Sequence, residues 1–366
     1  MGGAGISLDK VKAVILAGGQ GARFWPLSRM RRPKQFLVMG AGGQSLIQAT
    51  AERAEKFVGR EGVYVVTNES LKELVHQHVP FGKIICEPFG RNTAASIGLA
   101  AVFARQQCPG AITLILPADH AVADCQKLLE TWAEAVDVAA SQRLLVTIGI
   151  VPTRPDTAYG YIRRGERLRG NCFSVQRFFE KPNLERATRY CEAGDYFWNS
   201  GMFVWQADVI LEAIGQYMPV LAEGLARIER SVGKAEEKQV MKEVFAELDS
   251  VSIDFGVLEL ARNCAMVEAQ PFGWNDVGSW DAWAEHFKVD QRENLVHGDV
   301  LVIESGNCVV HANDTPGHKR LIALLGAEGL VVIDSGDAVL ICPRDRAQDV
   351  KRIVDILKQQ GRNELV

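Results

Sequence analysis

From residue 11 to about residue 150 the chain alternates short apolar runs with segments of helical periodicity, and this rhythm constrains the fold more than any other feature. Continuous apolar runs at 11–16, 63–67, 83–86, 112–116 and 144–150 read as buried strands. Helical patterns separate them, at 48–58 (opened by the capping box Ser45-Leu-Ile-Gln48), 69–78, 93–107 and 126–141. Strands buried on both faces and joined through helices imply a mostly parallel sheet with helices on both sides, an α/β domain.

Beyond 150 the pattern is more mixed. Strands are expected at 159–163, 175–180, 202–205 and 265–269, and helices at 184–191, 209–218, around 235–248 and after the N-cap candidate Ser252. After Asn294 the texture changes to five short β-like runs, at 300–304, 308–311, 321–325, 330–333 and 338–341. The turn signals ESGN, NDTPG, GAEG and DSGD divide them. An amphipathic helix at 346–360 should end at Gly361. The expected organisation is a disordered arm at 1–10, a main domain at 11–290, a small β domain at 291–345 and a C-terminal helical segment at 346–366. A β unit this small must lean on the main domain or on a second chain.

Composition excludes several classes. With 366 residues and a net charge of −4, the chain lacks the basic excess of a general nucleic-acid binder. It has no apolar run long enough to span a bilayer, and its first ten residues do not form a signal peptide. Its eight cysteines show no CxxC pair, so they read as small core residues of a cytoplasmic protein, and the seven histidines form no metal-binding pair in sequence.

The stretch LAGGQGARFWPLSRMRRPKQF, 16–36, holds three glycines, two prolines and five basic residues directly after the first strand. Ligands of α/β sheets bind beyond the carboxyl ends of strands. Gly18, Gly19 and Gly21 let backbone N–H groups after Leu16 and Ala17 approach an anion, and Arg23 and Lys34 add charge. The P-loop pattern GxxxxGK[ST] is absent, and a dinucleotide fingerprint would need glycine where Phe24 stands. Asp119 follows the strand at 112–116, and Asp276 lies in GWNDVG; read singly, each is as good a turn or cap residue. Lys181 and Glu180 end an extended run before Pro182, and a lysine there is ordinarily solvated. Arg91 to Thr93 precede a helix, where a cap is the plain reading.

These motifs together resemble the sugar-nucleotidyltransferases, and the wording WPLSR…PKQF is most similar to their mannose-1-phosphate guanylyltransferase branch. EPFGRNTA (87–94), LPADH (116–120), FEKP (179–182), WNSGMF (198–203), SIDFGVLE (252–259) and WNDVGSW (274–280) follow in family order. Phe24 departs from the usual Leu but stays apolar. The resemblance implies a Rossmann-like nucleotidyltransferase domain followed by a short left-handed β-helix that mediates subunit contact, hence a homodimer. It implies transfer of GMP from GTP to α-D-mannose 1-phosphate, giving GDP-mannose and pyrophosphate. Mg2+ would be held by Asp119 and Asp276. Leu16, Ala17, Gly18, Gly19, Gly21, Arg23, Lys34, Glu87, Asn92 and Asp119 would bind the nucleotide, with Arg23, Lys34, Asp119 and Lys181 carrying catalysis. Gly160, Glu180, Lys181, Asn199 and Asp276 would bind the sugar phosphate, with Trp198 as wall. Another sugar 1-phosphate and NTP, such as glucose 1-phosphate with UTP or dTTP, or a non-catalytic nucleotide-sensing subunit, are the alternatives.

Overall fold

The computed structural model describes residues 7–19, 21–38, 43–284, 289–313 and 319–366. Gln20 of the glycine-rich stretch and most of the NDTPG turn lie outside the described residues. Two compact units interleave along the chain: one comprises 1–18, 50–118 and 122–274, the other 19–49, 119–121 and 275–366.

The first unit is built on a nine-stranded sheet. Its strands are β1 (Val11–Leu16), β2 (Val63–Asn68), β3 (Lys83–Glu87), β4 (Ile112–Pro117), β5 (Leu145–Ile150), β6 (Tyr161–Arg169), β7 (Cys172–Phe179), β8 (Tyr196–Gln206) and β9 (Cys264–Glu268). They are ordered β3-β2-β1-β4-β8-β5-β9-β7-β6. β1 pairs in parallel with β2 and β4, as do β2 with β3 and β5 with β9. Only β7 and β8 run against the others. The sheet is thus mostly parallel, as its apolar strands required.

Helices α1 (Leu46–Val58), α2 (Lys72–His78), α3 (Asn92–Gln107) and α4 (Cys125–Ser141) fall where periodicity placed them. The capping box forms as read: Ser45 N–H donates to Gln48 Oε1 at 2.9 Å. The Ala-rich α3 is buried nearly all round, in one core with Ile210 and Ile214 of α6 (Ala207–Tyr217) and Leu225 and Ile228 of α7 (Pro219–Ser231). That position explains its small side chains. α5 (Leu184–Ala193) and α8 (Glu237–Glu247) complete the helices of this unit, and the segment after Ser252 is a π-helical turn, Asp254–Leu258.

Three expectations change. α7 went unread, although Pro219 at its first turn and the spacing of Leu221, Leu225 and Ile228 announce it. β6 and β7 are longer than expected because their hairpin, RRGERLRGN, is charged and exposed and lacks apolar alternation; Arg164 covers Phe173 and Phe197 there and pairs with Glu268 at 3.0 Å. β8 begins at Tyr196 and runs straight through WNSG, well before the strand expected at 202–205. The ladder with β5 shifts register between Thr147 and Gly149, Gly201 takes a φ of 69°, and Ser200 Oγ donates to Ile148 O at 2.7 Å.

In the second unit, residues 295–343 form a β-helix of stacked short strands. β10 (Leu295–His297), β12 (Val309–His311) and β14 (Leu330–Asp334) stack in parallel, β11 (Val300–Ile303) and β13 (Ile322–Leu325) form a second parallel pair, and β15 (Val339–Pro343) runs antiparallel to β14. Buried Asn294 fastens the first coil, donating to Asp290 and Ser305 O and accepting from Cys308 N–H. A short helix, α9 (Trp280–Ala284), precedes the β-helix in sequence, and the C-terminal segment is not one helix: a 3-10 stretch, Arg344–Val350, precedes α10 (Lys351–Gln359), which Gly361 ends at φ 71°. Leu8–Lys10, expected within an unstructured arm, form a 3-10 turn.

All eight cysteines are free; Cys172, Cys264 and Cys308 are buried and the other five half-buried. No helix among the described residues is long and apolar enough to cross a membrane.

Candidate active site

From Gly21 to Phe36 the chain folds as consecutive short turns because glycine and proline interrupt every longer element. Gly21 adopts φ 61°, and a Cβ placed on it would lie 2.3 Å from Lys34 Cβ. Glycine is therefore required twice over, by its backbone angle and by the close approach of the PKQF segment. Ser28 Oγ donates to Gly21 O at 2.7 Å and locks the turn. The 3-10 turns Ala22–Phe24 and Lys34–Phe36 follow, presenting Arg23 and Lys34.

Lys34 is 95% shielded, with 5% of its surface exposed, yet its ammonium is well partnered. Nζ donates to Asp119 Oδ2 at 2.8 Å and to Asp276 O at 2.5 Å, and lies 5.7 Å above the Phe24 ring. Desolvation works against the charge on Asp119, but the Lys34 ammonium, aided by His120, outweighs it and holds the carboxyl below the usual range. Asp276 accepts from Gly278 N–H at 2.9 Å, and a Cβ at Gly278 would stand 2.7 Å from its Oδ2, so a side chain there would push on this carboxylate. Val277, at φ 47°, packs in the core with Phe24 and Trp280. Arg23, Lys34, Asp119 and Asp276 border one cavity of about 360 Å³. Three cysteine-, histidine- or carboxylate-bearing residues do not gather as a metal cluster among the described residues. The two carboxylates on this cavity are hard oxygen donors, a set that suits Mg2+, which retains waters and takes phosphate oxygens as its other ligands.

The first unit holds the remaining candidates. Lys181 takes φ 43° just past β7, and its Nζ lies 2.7 Å from Glu180 Oε1, both side chains about half exposed. A Cβ on Gly160 would meet Glu180 Oε2 at 2.9 Å, and the Gly160 carbonyl accepts from Asn199 N–H at 2.8 Å. The Asn199 side chain is fully engaged: Oδ1 accepts from Thr147 Oγ1 and Gly201 N–H, and Nδ2 donates to Asp254 Oδ1 at 2.7 Å. Both ends of its amide are therefore held by neighbours within this unit. Trp198 is buried against Tyr159 and Trp274.

Asp254 is the residue the sequence reading missed. Burial, reinforced by the nearby Glu180 and Glu259 carboxylates and opposed by the Asn199 hydrogen bond, raises its carboxyl to about 6. The available signal was the acid in SIDFG itself; only the π-turn discloses its partner.

Glu87 ends β3 buried, accepts from Ser96 Oγ at 2.6 Å and is raised to about 7 by desolvation. Its Oε2 lies 3.9 Å from where a Gly18 Cβ would be, and Leu16 and Ala17 lead into that contact from β1. Asn92 opens α3 at φ 64° and caps Thr93 N–H, whereas Arg91 is drawn away to the Phe245 and Ala246 carbonyls.

Comparison with known proteins gives the family. The nucleotidyl transferase family matches residues 12–293, and the MannoseP isomerase/GMP-like beta-helix domain matches residues 285–357. A mannose-1-phosphate guanylyltransferase of Salmonella muenchen is 38% identical over 368 residues, covering 98% of this chain and 75% of that protein. The alginate biosynthesis protein AlgA of Pseudomonas aeruginosa is 38% identical over 360 residues, 96% of this chain and 73% of its own length. A Thermus thermophilus structure, titled a mannose-1-phosphate geranyltransferase, superposes with a TM-score of 0.86 at 35% identity, covering 95% of this chain and 99% of that one. This chain belongs to the nucleotidyl transferase family and is a nucleotidyltransferase carrying a C-terminal β-helix domain.

Proposed function

We propose that the enzyme transfers GMP from GTP to α-D-mannose 1-phosphate, releasing pyrophosphate and forming GDP-mannose. The observation that carries this reading is the partnered Lys34–Asp119–Asp276 cluster on a cavity shared with Arg23 and the Gly21 turn. The names of the relatives, several of them mannose-1-phosphate guanylyltransferases, supply the substrates.

Both reactants are anions, so the chain must chiefly neutralise and position them. An oxygen of the sugar phosphate attacks the α-phosphorus, the bond to the bridging oxygen of the β-phosphate breaks, and its electron pair leaves with pyrophosphate. The attacking phosphate is already ionised and needs no base. Lys34 and Arg23 hold the nucleotide phosphates, and the backbone at Gly18, Gly19 and Gly21 admits them closely. Asp119 and Asp276 would hold Mg2+, which would supply Lewis-acid charge at the phosphate oxygens. Glu87 and Asn92 contact base or ribose. Lys181 clamps the sugar phosphate, Glu180 takes sugar hydroxyls, and Gly160 with Asn199 shapes the sugar pocket, Asp254 holding the amide.

A second copy completes the assembly in this reading, because the β-helix turns Leu301, Ile303 and Leu325 outward. Light scattering at micromolar concentration should give the mass of a dimer. A matrix of NTPs against sugar 1-phosphates with Mg2+, read by pyrophosphate release, tests the chemistry: the highest kcat/KM belongs to GTP with mannose 1-phosphate. A higher value for UTP or dTTP with glucose 1-phosphate would reassign the substrates, and no release from any pair would mark a nucleotide-sensing subunit.

A further inference from the structure

The cavity that holds Arg23, Lys34, Asp119 and Asp276 is bordered by one more cation, Lys351, the first residue of α10. It stands 71 positions beyond Trp280, the last residue of the last recognisable motif (351 − 280), so no local pattern points to it.

Packing explains why it is there. Phe24 and Trp25, immediately after Arg23, share a core with Val350, Val354 and Leu357. Trp25 Nε1 donates to Leu365 O at 2.7 Å, and Met30 N–H donates to Val366 O at 3.2 Å. The segment bearing Arg23 is thereby fastened to the C-terminal helix by apolar contact and by two hydrogen bonds. Lys351, one turn before buried Val354, is held at the cavity edge by that same packing.

Charge separates Lys351 from its neighbours. Lys34 is engaged by Asp119, and Asp276 accepts from Gly278. The Lys351 side chain is exposed and makes no hydrogen bond or ion pair with a described residue. A solvated ammonium at the rim of a pocket whose buried lysine is already paired suits the most highly charged part of a ligand. Its attraction grows as negative charge collects on a leaving group.

We propose that Lys351, supplied by the helix that follows the β-helix, binds the polyphosphate of the nucleotide in the forward reaction and pyrophosphate in the reverse. The inference rests on the nucleotidyl-transfer reading above. Steady-state kinetics in both directions, on the full chain, test it. Lys351→Met should raise KM for GTP and for pyrophosphate about 10- to 50-fold, the weight of one charge-assisted contact. KM for mannose 1-phosphate and for GDP-mannose should stay within about twofold of wild type, a selectivity that general damage to the fold would not give. Lys351→Arg should recover most of the loss, and Arg352→Met, the next exposed cation on the helix, should change neither. Unchanged KM for GTP and pyrophosphate in Lys351→Met, or an equal rise for all four substrates, would overturn the proposal while leaving the reaction standing. Wild-type enzyme that neither makes nor pyrophosphorolyses GDP-mannose would instead sink the functional reading itself.

Discussion

Lys34 and Lys181 each sit within 3 Å of one carboxylate, at 2.8 Å from Asp119 and 2.7 Å from Glu180, yet the two pairs are physically unlike. The Lys34 side chain is 6% exposed and the Lys181 side chain 58%. A shielded pair keeps its attraction and its geometry, whereas water screens a half-exposed one and leaves its lysine free to change partners. Distance alone does not rank them. The first lysine is fixed in place, which suits the proposed phosphate contact; the second can let go of Glu180, which suits the proposed clamp on a sugar phosphate.

Removing each lysine should expose that difference most sharply. Lys34→Met leaves Asp119 without its cation and takes a fixed charge from the phosphate pocket, so kcat/KM should fall by about 10³-fold or more, the scale for one preorganised electrostatic group. Lys181→Met should cost about 10- to 100-fold, concentrated in KM for the sugar phosphate, with the melting temperature nearly unchanged. If both variants lost activity equally and through the same kinetic constant, burial would not be what distinguishes the pairs.

Gly21→Ala tests the backbone beneath the first pair. The new methyl would meet Lys34 Cβ at 2.3 Å in a conformation that already disfavours a side chain. A loss of about 2–4 kcal/mol in stability is expected by denaturant unfolding. Gly19→Ala, where an added Cβ meets nothing within 4 Å, should cost under about 1 kcal/mol.

The cavity at Lys34 was more legible in the sequence than the group around Asn199, and the reason is local. Gly21, Arg23 and Lys34 lie within one short stretch, where glycine, proline and charge leave only a loop to form. The parallel half of the sheet was legible too, since β1 to β5 are apolar runs without alternatives. Asn199 and Asp254 were harder because their relation depends on a register shift in β8 and on a π-turn, neither of which has a periodic signature. The His297–His311 stack, at 4.6 Å, likewise exists only through the parallel register of β10 with β12. Lys351 depends on an apolar core shared by segments more than 300 positions apart.

The two regions also titrate in opposite senses, and this gives the smallest and most discriminating test. Asp119 is held below the ordinary carboxyl range in the folded protein, so its pairing contributes stability above the unfolded value near 3.8, and that contribution disappears as pH falls through the depressed pKa. Asp254 is raised to about 6, so the folded protein binds its proton more readily than the unfolded chain does. Stability from this group is therefore greatest below about pH 4 and declines as pH rises from 4 to 6. Asp254→Asn keeps an acceptor for Asn199 Nδ2 but has no proton to lose. Thermal midpoints measured from pH 3.5 to 8 should show the variant gaining on wild type between pH 4 and 6, by about 1–2 kcal/mol at the plateau. Asp119→Asn should do the reverse, falling behind wild type above pH 4 because buried Lys34 loses its counter-charge. Parallel profiles for the two variants would mean that the carboxylates share one electrostatic environment, and the contrast between a paired acid and a desolvated one would fail.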